Sequence, residues 1–197
     1  LTPRCSHRPL KRFIFQRYTA FQLALRSNMR KRSKKQLEAT AFHEAGHAVR
    51  AYRYDIKIKS VTIKPDETSL GKMMADGLLK GLRPDIEITP GARNKMEKHI
   101  RVSMAGIIAQ KLYDRRSVRS HHDDGDRQSA LSLLDYLADL GDTDFYEKYW
   151  ALLEAQTESF LKKPVAWAQV DFVAGGLLKM ETISGNDLAK MLDLMNY

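Results

Sequence analysis

The five residues His43-Glu44-Ala45-Gly46-His47 constrain this chain more than any other stretch. In an α-helix, positions i and i+4 share a face about one turn apart, so two imidazoles with this spacing can address a single ion. Glu44 then stands beside that ion without binding it. Zinc hydrolysis uses this arrangement: two neutral nitrogens hold the metal, the metal acidifies a water molecule, and the glutamate takes the proton. Gly46 disfavours a helix interior by ~1 kcal/mol relative to Ala, so a close approach is expected there, with packing beneath the metal as one candidate.

The flanking residues support the helix. Ser33 followed by Gln36 has capping-box spacing, and Leu37, Ala41, Phe42, Ala45, Ala48, Val49 and Tyr52 recur at helical intervals. Only Lys34 and Lys35 disagree, since the first turn of a helix favours acids. The helix is expected over residues 34–53.

With 197 residues and 43% apolar content, the chain can bury one sizeable core. No run approaches the roughly 18 apolar residues of a membrane span. The single cysteine, Cys5, excludes an internal disulfide and a thiolate zinc cage, which fits a reducing, cytoplasmic setting. A net charge of +9 suggests nucleic acid until it is located. Residues 1–35 hold eleven Lys and Arg and no Asp or Glu, so the rest of the chain is slightly acidic and its body is not a nucleic-acid surface. We therefore divide the chain into a basic arm, 1–33, and a catalytic domain, 34–197. The arm reads as a tether, as an organellar presequence, or as an over-extended amino terminus, because the chain begins with Leu and Met29 lies just ahead of the capping box. The last of these, or a fragment, is favoured.

Beyond the metal helix, residues 56–64 are rich in Ile, Val and Thr and predict a strand. A change of apolar parity between Ile58 and Val61 predicts a bulge or twist. Pro65 to Ser69 turns the chain and residues 70–74 return as a second strand, with Met73 and Met74 as packing residues. This hairpin either offers an edge to an extended substrate or simply covers the core. Residues 75–88 read as a loop, and Thr89-Pro90 opens a helix to about Tyr113 in which His99 reads as structural. Further helices are expected from about Asp126 to Gly141, from a cap at Asp144 with Glu147 to Leu161, from Pro164 through Leu178, and after Ser184 with Asp187. The fold class is mainly α with a small β-hairpin or sheet.

A catalytic zinc takes three protein ligands and keeps one position open. A further histidine soon after the motif is absent from Ala48 to Arg53. Glu67 lies at a spacing some zinc peptidases use, but in an apparent turn rather than on a second helix. The other candidates are His121, His122, Asp123, Asp124 and Asp126, most of which read as a solvated loop.

Several separated stretches together resemble the peptidase domain of the FtsH-type AAA zinc proteases. They are His43 to Val49; Val61-Thr62-Ile63 with Pro65 and Leu70-Gly71; Ala105-Gly106 with Ala109 and Leu112; Asp126 with Ala130; and Leu177-Leu178 through Glu181-Thr182-Ile183 to Gly185. The resemblance covers about residues 36–193. It implies a zincin-like metallopeptidase domain that cleaves polypeptides, with Zn²⁺ held by His43, His47 and Asp126 and with Glu44 as general base. Asp126 enters through the family's Asp-x-x-x-Ala pattern at a helix start. Two departures are Gly125, where the family usually has Asn, and Gln110, where an acid is usual. The family's ATPase module is not matched, since no GxxxxGKS/T pattern occurs in this chain. The expectation is therefore a stand-alone peptidase, independent of ATP in isolation, whose motor, if any, is a separate ATPase partner. The competing expectation is a non-proteolytic zinc protein that binds regulatory partners or nucleic acid through the arm; an intact Glu44 argues against it.

Overall fold

The computed structural model describes residues 32–66, 69–75, 89–118, 124–138 and 142–195, and the chain divides into Leu1–Ser33 and Lys34–Tyr197. The second unit is mainly helical, with six α-helices and one three-stranded antiparallel sheet among the described residues.

Helix α1 (Lys34–Tyr52) carries the two histidines and buries Ala41, Phe42, Ala45, Ala48 and Val49. These side chains are mostly small, so its neighbour comes very close. That neighbour is α2 (Pro90–Tyr113), which starts as expected: Thr89 accepts a hydrogen bond from the Ala92 amide and Pro90 occupies the first turn. Where the two helices meet, a Cβ on Gly46 would lie 2.5 Å from the Ala105 carbonyl oxygen and 2.6 Å from the Ala109 Cβ. Gly46 therefore serves the close contact between α1 and α2.

After α2, Asp114 caps both directions: its amide donates to the Gln110 carbonyl, and its side chain accepts from the Arg116 amide to open a 3₁₀ turn, Arg115–Ser117. Helix α3 (Asp124–Leu137) buries Ala130, Leu133, Leu134 and Leu137. Helix α4 (Thr143–Leu161) starts earlier than expected. Asp142, not Asp144, is the cap, because its carboxylate reaches the Phe145 amide at 2.9 Å; Asp144 sits in the first turn and pairs with Lys148 at 2.6 Å. Helix α5 (Pro164–Met180) runs two residues past the expected end and stops where Glu181 takes a left-handed conformation, φ 61°.

The hairpin is present as β1 (Ile58–Thr62) and β2 (Lys72–Ala75), with the expected irregularity between Ile58 and Ser60. The sheet goes further than a hairpin. A third strand, β3 (Thr182–Ser184), pairs with β1 on its other side, Val61 opposite Ile183, giving the order β2-β1-β3. Gly185 comes directly after it, where a Cβ would lie 1.8 Å from the Ile58 carbonyl oxygen; there the chain turns into α6 (Gly185–Asp193), capped by Ser184 on the Asp187 amide. Val61, Ile183, Leu188 and Leu192 join the sheet and α6 to the main core. Among the described residues, no helix is long and apolar enough to cross a membrane.

Candidate metal centre

His43 and His47 lie one turn apart on α1, and both are buried. Their partners determine their tautomers. His47 Nδ1 lies 2.7 Å from the Val102 carbonyl oxygen, which can only accept, so Nδ1 carries the proton. His43 Nδ1 lies 3.2 Å from Gln110 Oε1. The orientation of that amide is set at its other end, where Gln110 Nε2 donates to the Ser117 carbonyl and hydroxyl oxygens, both at 3.2 Å. Oε1 must therefore face His43, and His43 Nδ1 must donate as well. In the neutral rings, both Nε2 atoms are left as bare electron-pair donors.

These two atoms converge. They are 3.0 Å apart, and Asp126 Oδ2, from the first turn of α3, is 3.1 Å from one and 3.0 Å from the other. Three donors crowded to this degree repel one another unless they share a cation. Protons can supply part of that charge: burial opposes charging His47, but Asp126 outweighs it and raises the imidazole to about 9. Burial likewise opposes ionisation of Asp126, and the two histidines reverse this and hold its carboxyl well below the usual range. A single metal ion would satisfy all three atoms. Among the described residues, His43, His47 and Asp126 form the group of His and Asp side chains whose ligand atoms could hold a metal. Two imidazoles and one carboxylate are donors that several divalent transition metals accept, zinc among them.

Two glycines make room for this arrangement. A Cβ on Gly106 would fall 2.3 Å from His47 Nε2 and 2.7 Å from His43 Nε2, so α2 can pass beneath the imidazoles only because position 106 has no side chain. A Cβ on Gly71 would fall 2.8 Å from Glu44 Oε1, and the missing side chain lets the segment entering β2 lie against the glutamate. Glu44 is buried, and the backbone of Met73 hydrogen-bonds its carboxylate. Burial raises its pKa, while the two histidines and the Met73 amide hold it back. The residue is thus a carboxylate with a strengthened hold on a proton, one position from His43 in the group that could hold a metal.

The structure thus brings together His43, Glu44, His47 and Asp126. Glu67, His121, His122 and Asp123 lie outside the described residues. Sequence reasoning missed the supporting groups: the Val102 carbonyl, the Met73 amide, and Gln110 as the residue that orients His43. His99 is half-buried, 3.5 Å from the Ser103 hydroxyl, and burial lowers its pKa. No protein-family model matches this chain, and no curated protein does either.

Proposed function

We propose that this chain is a zinc metallopeptidase acting on unfolded or flexible polypeptides. The observation that carries this is the convergence of two tautomer-locked Nε2 atoms and Asp126 Oδ2 on one point, with the Glu44 carboxylate beside it. His43, His47 and Asp126 would hold the ion, leaving a position for water and substrate. When bound, zinc supplies Lewis acidity, which polarises a peptide carbonyl and acidifies water.

The remaining chemistry belongs to the chain. Glu44, with its pKa raised by burial, takes the proton of the attacking water and passes it to the departing nitrogen, so a peptide bond becomes a carboxylate and an amine. Val102 and Gln110 keep the imidazoles aimed through the cycle, as outer partners of metal ligands do. Among the described residues strand β2 is an edge of the sheet, and the segment entering it lies against Glu44, so an extended substrate can pair along it. The resemblance to the FtsH-type peptidase domain supports the same assignment. A purely structural zinc site has no use for a buried base at position 44.

The test is a pair of measurements on the purified protein. It should hold about one zinc per chain, and Glu44→Gln should keep that zinc while losing hydrolysis of casein. Equal hydrolysis by the two proteins would refute the assignment of Glu44.

A further inference from the structure

Gln110 is a buried amide with both corners committed. It lies in the last turn of α2, 3% exposed, and its backbone carbonyl accepts from the Asp114 amide at 2.9 Å. Its Oε1 accepts from His43 Nδ1, and its Nε2 donates to the carbonyl and hydroxyl oxygens of Ser117. The Ser117 hydroxyl gives its own proton to the Asp114 carbonyl, 2.7 Å away, so toward Gln110 it acts as an acceptor. The 3₁₀ turn therefore presents two acceptors to position 110, and His43 presents one donor. A side chain with an acceptor at one corner and a donor at the other answers both, and an amide has that pattern. A carboxylate would meet His43 well and Ser117 badly.

This choice acts on the imidazole. A carboxylate behind a metal-binding histidine draws on the Nδ1 proton and makes Nε2 the stronger donor. An amide oxygen carries no net charge and does so less; the acceptor behind His47 is a backbone carbonyl, also uncharged. Asp126 is thus the one formal negative charge among the three donors and their two outer partners. The bonds to Ser117 also keep the amide from turning over. A turned amide would aim Nε2–H at His43 Nδ1, send the ring proton to the other nitrogen and close the electron pair that a metal needs.

We propose that Gln110 is a positioning residue that sets the strength of the centre. It holds His43 in the ligand tautomer through an uncharged acceptor, so the site binds zinc less tightly, and releases it faster, than a carboxylate at position 110 would allow. The inference rests on the zinc reading of the centre and does not depend on peptide cleavage.

The experiment compares the full chain with Gln110→Glu and Gln110→Met, by competition for zinc chloride with a chelating dye and by the rate of zinc loss to excess EDTA. Gln110→Glu should bind zinc at least fivefold more tightly and lose it correspondingly more slowly, while its metal-free form unfolds at lower urea because the carboxylate faces Ser117. Gln110→Met, similar in length but without the acceptor, should bind roughly tenfold more weakly or worse. Long-range proton–nitrogen spectra of the metal-free wild type, recorded above the His47 titration at about 9, should show His43 protonated at Nδ1. That spectrum decides the tautomer even where a variant fails to fold. A purely structural role makes both variants bind zinc more weakly, and that result overturns the proposal, as does a wild-type His43 protonated at Nε2. Affinities ordered Glu, then Gln, then Met in a protein that cleaves no casein support the proposal and remove the peptidase reading, whereas a wild type that binds no zinc overturns both.

Discussion

At the scale of single residues, the candidate centre depends on the groups that hold its three donor side chains as much as on those side chains themselves. Removing Asp126 takes away one of three donors, so Asp126→Ala should weaken zinc binding by far more than tenfold, measured by competition with a chelating dye. Gln110→Ala leaves His43 without its acceptor; loss of such an outer partner costs roughly 10- to 100-fold in affinity. Gly106→Ala should bind no zinc at all, because its methyl group would occupy the space of the imidazole nitrogens. The pH dependence comes from His47. Its pKa in the metal-free fold, about 9, lies above that of a free imidazole. Its contribution to metal-free stability is therefore complete below about pH 6.5 and is lost as pH rises through about 9. Asp126, shifted downward, contributes above its unfolded value and loses that contribution only in strong acid. If His47 is a zinc ligand as proposed, the metal has to displace its proton, so apparent affinity should rise by about tenfold per pH unit from near neutrality and level off above about pH 9. An affinity flat across this range would mean that His47 is not a ligand.

At the scale of elements, the close approach of α1 and α2 carries the site, and Gly46 is what allows it. Gly46→Ala would push a methyl group into the Ala105 backbone. It should cost roughly 1–3 kcal/mol, as overpacking does, seen as a lower midpoint of urea unfolding at unchanged slope. Much of this level was legible in the sequence. The metal helix, the Thr89-Pro90 start, the Ser184 cap and the irregularity in β1 all rest on local chemistry that a short window contains. What was not legible lacks a local signature. Strand β3 is three residues long, too short for alternation to register, and it exists because β1 has a free side for it. The supports from Val102 and Met73 come from backbone atoms, which every residue possesses. Asp126 is 83 positions from His43; spacing alone left it one candidate among several, and only a resemblance separated it from its neighbours.

At the scale of the whole molecule, the unit Lys34–Tyr197 contains both the candidate site and the hydrophobic core. Deleting residues 1–28 should therefore leave the circular dichroism, melting temperature and zinc content of the protein unchanged; an unfolded product would show the arm to be integral. On the peptidase reading, a substrate would reach Glu44 as an extended segment, and a folded domain exposes one only by local unfolding. Because the chain has no GxxxxGKS/T pattern, ATP should not change its rate on either casein or a stable folded domain when it is assayed alone. Stimulation on adding a separate ATPase would identify the motor as a partner. The measurement that bears most directly on the central claim is casein digestion through a cycle of chelation and zinc return, with wild type and Glu44→Gln in parallel. The account predicts that dipicolinate abolishes wild-type digestion, that one equivalent of zinc restores it, and that the variant rebinds zinc yet stays inactive. Digestion that survives complete removal of the metal, or that returns equally in the variant, would contradict it.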